Sequence, residues 1–341
     1  MTLSRRTMLV RSFTALLSAR AGAALPGDAS APSSVHPRGG ARSGQSVRTG
    51  GSQTIRIDGR YQVWLKKVGS GAMPMLVLHG GPGMNHFYFE CFEDFLPAAG
   101  LSFWYYDQLG CGFSDIPKDN SLWTVERYIE EVEQVRRGLG EARIFLYGHS
   151  WGSMLAMEYT ARYPERVSAL VLSNMTASIA SLTEYSEQLI KKLLSPSELD
   201  TITRTRAKGD FEDAAYQKVV AKVYSHTLCR LDPWPEPILR SERLMNNEIY
   251  TTMCGPDDLN VVGNLKNWDF WDRLHQISAP TLLLGGQYDE MAPEQLKRMS
   301  TMIPHSKLVI CPDAGHFSMY DNQPAYFDAL ISFMRTRTAV G

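Results

Sequence analysis

The chain has 341 residues, and its 35 lysines and arginines against 36 aspartates and glutamates leave a net charge of −1. That length suits one large α/β domain with an insertion, or two domains, and the balanced charge gives no overall pull toward nucleic acid or an anionic membrane. Five scattered cysteines without a Cys-x-x-Cys pair argue against a disulfide framework or a zinc site, and no apolar stretch is long enough to span a bilayer.

Residues 1–50 differ from the rest. Ser4-Arg5-Arg6-Thr7-Met8-Leu9 resembles a twin-arginine export signal, followed by a short apolar segment from Phe13 to Leu17 and small-residue cleavage sites around Ala21. Arg11 and Arg20 interrupt the apolar region, so a basic tail is the alternative. The first reading implies export to the periplasm, the second a cytoplasmic protein. Residues 22–51, rich in Ala, Gly, Ser and Pro, read as a flexible linker either way.

Folding begins with Thr54–Ile57 and Tyr61–Leu65, joined by Asp58-Gly59, a strong hairpin turn. Met75–Leu78 is an apolar run of the kind that a strand buried on both faces shows. Phe103–Tyr106 is a further strand ending at Asp107, and a helix is expected from Val125 to about Leu139. Ile144–Tyr147 and Ala169–Leu172 continue the series. Strands alternating with helices imply a mostly parallel sheet with right-handed crossovers and helices on both faces. Near Met175 the alternation stops, and about a hundred residues follow that are helical in pattern, among them Ser181–Leu194, Ala214–Tyr224 and Pro237–Tyr250. Strand–helix alternation resumes with Thr281–Leu284, Pro293–Met302, Leu308–Ile310 and Pro324–Arg335. The expected division is therefore a first core part at 51–176, a helical cap at 177–274 over the sheet's carboxyl edge, and a second core part at 275–341.

Within this frame one segment carries chemistry. Gly148-His149-Ser150-Trp151-Gly152 lies between the strand Ile144–Tyr147 and a helical run, Met154–Tyr159. Strand, Gly-x-Ser-x-Gly, then helix is a nucleophile elbow, the mark of an α/β-hydrolase fold. The two glycines lack the β-carbons that would strike the neighbouring strand and helix, and the helix start aims N–H groups at the reaction centre. A serine nucleophile needs a base and an acid to orient it, in the chain order Ser, Asp or Glu, His. Asp289 follows the strand Thr281–Leu284, and His316 follows Leu308–Ile310, which places both on the edge that carries Ser150. Asp313 and Glu290 are rival orienting acids; position directly after the strand favours Asp289. His79-Gly80-Gly81-Pro82-Gly83 follows Met75–Leu78 and suits an oxyanion hole, with the amides of Gly81 and Trp151 as donors.

Three segments together, His79–Gly83, Asp107-Gln108-Leu109-Gly110-Cys111-Gly112-Phe113-Ser114 and Gly148–Ser153, resemble the signatures of the proline iminopeptidase family, over about residue 52 to the end. The resemblance implies a serine aminopeptidase or amino-acid amidase with Ser150, Asp289 and His316 as its triad, Gly81 and Trp151 as oxyanion donors, and no metal or organic cofactor. Strict proline-cleaving members often carry Arg where Leu109 stands, so this chain looks closer to the broader tricorn-interacting-factor and amidase branch. That branch places a glutamate where Asp258 stands here, one methylene longer.

An enzyme that removes a first residue must recognise an α-ammonium, and a carboxylate within reach does so by a charge-assisted bond. Glu236 and Asp258 are the candidates, with Glu248 behind them; ordinary solvated cap charges are the alternative. Trp234, Trp268 and Trp271 either line a pocket for the first side chain or seat the cap on the core. The expected substrate is a small molecule or short peptide with a free amino terminus, cleaved through an acyl-enzyme. An esterase acting on amine-free substrates is the second reading, and a non-catalytic binding protein the third.

Overall fold

The computed structural model describes residues 51–72 and 74–338, so the readings made on residues 1–50 lie outside the described residues. Eight strands form a single sheet in the order β1-β2-β4-β3-β5-β6-β7-β8. β1 (Ser52–Ile57) and β2 (Tyr61–Val68) make an antiparallel hairpin whose turn, Asp58-Gly59, takes φ of 49° and 68°. Such positive values suit the twist of the two strands. β2 also runs antiparallel to β4 (Phe103–Asp107), and every pairing from β4 to β8 is parallel.

The strands at the centre explain themselves. β3 (Met75–Leu78) and β5 (Ile144–His149) are buried at every position, because helices cover both faces of a parallel sheet. One apolar cluster gathers Leu76, Leu146 and Leu170 with Val132 and Leu155 from two helices on one face. On the other face Val77, Phe145 and Val171 meet Tyr326 and Leu330 of the last helix. The chain leaves β3 for β4 on one side and returns to β5 on the other. That reversal opens a crevice at the strands' carboxyl ends, where ligands bind in open α/β sheets.

α1 (Val125–Gly138) starts where Thr124 accepts a hydrogen bond from the Arg127 amide, and α2 (Trp151–Arg162) follows the elbow. After β6 (Val167–Ser173) come five helices: α3 (Ile179–Leu193), α4 (Pro196–Lys208), α5 (Ala214–Thr227), α6 (Glu236–Arg243) and α7 (Asn247–Met253). The expected single helix over Pro237–Tyr250 is two, since Asn246 caps α7 by accepting from the amides of Glu248 and Ile249. The two ends of the insertion meet at its base, where Ile179 N–H donates to Trp268 O at 3.1 Å and Phe270 N–H to Ala177 O at 2.7 Å. On that pairing we propose residues 177–274 as the cap. β7 (Thr281–Gly286), α8 (Pro293–Met302), β8 (Ser306–Cys311) and α9 (Gln323–Thr338) complete the core.

Candidate active site

Ser150 occupies the turn between β5 and α2 with φ 55° and ψ −127°, a conformation costing an L-residue on the order of 1–3 kcal/mol. Close packing holds it there. A Cβ added to Gly148 would lie 2.2 Å from Gly152 O, and one added to Gly152 would lie 2.1 Å from Leu78 O. Only glycine fits at either flank.

His316 lies beyond β8 on the same edge. Its Nδ1–H donates to Asp289 Oδ1 at 3.0 Å, which leaves Nε2 as the basic nitrogen. Both groups are buried, at 5% and 1% exposure. Asp289 is itself held in place: the Met291 amide donates to Oδ1 at 3.0 Å and Asn174 Nδ2 to Oδ2 at 2.7 Å. From the cap side, the carbonyls of Thr227 and Leu228 accept from the amides of His316 and Phe317, each at 2.7 Å. The base therefore rests on the core through its ring and on the cap through its backbone.

Gly81 has φ +111°, and a Cβ on Gly80 would lie 2.9 Å from the Ser150 Cβ, so the glycine loop after β3 packs directly against the candidate nucleophile. Among the described residues neither the Gly81 nor the Trp151 amide donates to a protein acceptor. Two free donors beside a serine hydroxyl are what a developing oxyanion needs.

Ser150, Gly81 and His316 open on a cavity of about 530 Å³ beneath the cap. Met84, Val220, Leu228, Met245 and Phe317 supply its apolar wall, and Glu242, Asp257 and Asp258 supply carboxylates. Tyr250 donates its hydroxyl to Asp258 Oδ1 at 2.8 Å. Burial raises the Asp258 carboxyl above its usual range, against the opposing pull of Tyr250 and the nearby His316. Burial likewise pushes Asp257 up to about 6 and, with the charge of Asp258, Glu242 up to about 8. Glu290, next after Asp289, is 1% exposed, and neither carboxylate oxygen has a hydrogen-bond partner among the described residues. Burial first, then the charges of Asp258, Asp289 and Asp257, hold it well above the ordinary carboxylate value.

Comparison with known proteins places the fold and the family. The family model described as "alpha/beta hydrolase fold" matches residues 73–323. A proline iminopeptidase of Chitinophaga pinensis is 41% identical over 283 residues, covering 81% of this chain and 95% of that one. One of Flavobacterium johnsoniae is 39% identical over 280 residues, 81% of this chain and 94% of that one. The crystal structure of the Mycobacterium smegmatis proline iminopeptidase superposes with a TM-score of 0.78 at 28% identity, over 85% of this chain and 99% of that chain. The chain belongs to the proline iminopeptidase family.

For this family member the structure brings together Ser150, His316, Asp289, Gly81, Trp151 and Asp258, and it leaves Glu236 apart. Glu236 is a correction: it starts α6 on the outer face, 63% exposed in its side chain, and accepts from Arg243 at 2.9 Å instead of facing the cavity. Asp313, the rival orienting acid, is exposed, and no contact joins its carboxylate to His316. Trp268 seats the cap on the core, donating its indole N–H to Glu158 at 2.9 Å, and Trp271 donates its own to Ser181 within the cap at 3.0 Å. Trp234 is buried edge-on to Phe317, with ring centroids 6.4 Å apart. All five cysteines are buried free thiols. Asn174 and Glu242 went unread in the sequence because nothing local marks them.

Proposed function

We propose that this protein hydrolyses the amide or peptide bond that follows a free amino-terminal residue, using Ser150 as nucleophile. His316 Nε2 takes the proton of Ser150, Asp289 fixes the tautomer through Nδ1, and Gly81 and Trp151 hold the oxyanion. His316 then protonates the leaving amine. Water, activated by the same imidazole, attacks the acyl-enzyme and frees the amino acid.

Glu290 carries the choice of a free amine. Two oxygens buried without a donor are costly to ionise; Glu290 is not part of the cavity lining, and a substrate ammonium held at the Asp258 wall supplies the nearby positive charge that it lacks. Asp258, on the cavity wall within electrostatic reach, is the second acid of the pair. Of the two cap carboxylates read from the sequence, Asp258 is kept and Glu236 gives way to Glu290. The substrates are small molecules or short peptides, since about 530 Å³ beneath the cap holds a few residues at most.

The test is a panel of amino-acid arylamides with free and acetylated amines. Acetylation removes the charge and leaves the acidic pair without its cationic partner, at a cost of about 2–5 kcal/mol or roughly 30- to several-thousand-fold in kcat/KM. Equal cleavage of both sets would replace an aminopeptidase with an esterase-type acyl hydrolase.

A further inference from the structure

The oxyanion loop carries two adjacent glycines, and that is a mechanical weakness. With no Cβ on Gly80 or Gly81, the peptide plane between them can rotate through a half-turn at little steric cost. A flip would send the Gly81 N–H away from the reaction centre. The hydrogen bonds around this peptide bear on the problem.

His79, fully buried, lies directly before the pair. The Gln108 amide donates to His79 Nε2 at 3.1 Å, so Nε2 is the bare nitrogen and Nδ1 carries the hydrogen. Nδ1 then donates to Gly80 O at 3.0 Å. Across a planar trans peptide, C=O and N–H point in opposite directions. Holding Gly80 O against the His79 ring therefore fixes where the Gly81 N–H points. The preceding peptide is pinned as well: Gly80 N–H donates to the Tyr88 hydroxyl at 2.6 Å, and His79 O accepts from Gln108 Nε2 at 2.9 Å. Gln108 Oε1 in turn accepts from the Trp151 indole at 2.9 Å, tying this loop to the residue that offers the other free amide.

We propose that His79 is a positioning residue that locks the Gly80–Gly81 peptide, and so aims the Gly81 N–H at the oxyanion. The proposal rests on Gly81 being an oxyanion donor to an acyl centre on Ser150. Burial lowers the His79 pKa to about 4, so the ring stays neutral and keeps this tautomer across the working range. His79 touches no reacting atom; it acts through the backbone.

Two substitutions separate the lock from simple packing. In His79→Asn the amide nitrogen falls near the place of Nδ1 and can still hold Gly80 O. In His79→Gln it falls near Nε2, and the lock is lost. Expected is a kcat within about threefold of wild type for H79N and a fall of about 10- to 1,000-fold for H79Q with KM little changed, the upper figure being the loss of one oxyanion donor. An amino-acid aldehyde, which Ser150 converts to a tetrahedral hemiacetal, should bind H79Q more weakly by a factor similar to the loss in kcat/KM. The free amino-acid product should bind both variants as it binds wild type. Equal activity of H79N and H79Q, or parallel loss of aldehyde and product binding, overturns the proposal. If neither variant folds, ¹⁵N spectra of the wild-type ring decide: a hydrogen on Nε2 instead of Nδ1 overturns it. Failure of the underlying mechanism looks different, because the aldehyde would then bind wild type no better than the product does.

Discussion

Replacing Glu290 by Gln separates what this carboxylate does for substrate from what it costs the fold. Glu290 is buried without a hydrogen-bond partner among the described residues, and desolvation together with three neighbouring carboxylates raises its native pKa well above the ordinary value. In the unfolded chain a glutamate titrates near about 4.3. Between that pH and the raised native value, the folded protein keeps a proton that the unfolded chain has released. Stability of the wild type therefore falls as pH rises through this window, by up to about 1.4 kcal/mol per pH unit for one proton. Gln has no proton to lose. The stability gap between Glu290→Gln and wild type should be small near about pH 4, widen in favour of the variant at up to that slope, and level off above the native pKa. Urea unfolding at a series of pH values measures the gap directly. Activity should move the opposite way, with kcat/KM on a free-amine arylamide falling by about 30-fold or more and little change on its acetylated twin. A stability gap that stays flat with pH would mean that Glu290 titrates as an exposed glutamate does, and the reasoning would fail.

Ser150→Ala should lower kcat by about 10⁴- to 10⁶-fold with an unchanged unfolding midpoint; a variant keeping a tenth of the activity refutes the assignment. Asn174→Ala leaves Asp289 Oδ2 without its 2.7 Å donor, so unfolding free energy should drop by about 1–3 kcal/mol and kcat with it, whereas Asp313→Asn should alter neither. For free-amine substrates kcat/KM should decline above about pH 8 as the α-amino group deprotonates, and an amine-free ester should show no such decline. A chain starting at Gly51 should unfold cooperatively and turn over at the wild-type rate; loss of either would show that residues 1–50 belong to the domain.

What could be read in advance follows physical lines. The central strands were legible because a strand buried on both faces must be apolar throughout, and Met75–Leu78 and Ile144–Tyr147 obey that rule. Ser150 was legible because the elbow needs glycines at 148 and 152, where a side chain would overlap backbone. His316 and Asp289 followed from the order of strands, since each lies just past a strand end on one sheet edge. α4 left a fainter mark in hydrophobic spacing, as only Ile202 and Thr205 along it are buried. Its start was nonetheless written in Ser195-Pro196-Ser197-Glu198, a capping box in which each partner satisfies the other's amide. Glu236 had a readable sign too. Arg240 and Arg243, four and seven positions on, make an ion-paired outer face, not a pocket wall.

The acids behind the site belong to a different category. Glu290 owes its unusual state first to burial, then to the charges of Asp258 and Asp257, more than thirty positions earlier in the cap, and of its neighbour Asp289, with no donor to either oxygen among the described residues. Asn174 owes its role to a bond across 115 positions. No periodicity or local motif encodes such a partner; it arises only when the cap closes on the sheet. The cap's own contact with the catalytic loop makes the same point, because Thr227 and Leu228 hold the His316 segment through backbone carbonyls. A residue of any type carries a backbone carbonyl, so this link constrains the path of the chain and leaves no trace in residue type. Chemistry that depends on the identity of a residue is therefore written locally in this protein. The proposed selectivity rests on how two distant segments meet: Asp258 could be named from the cap sequence, but its pairing with Glu290 could not.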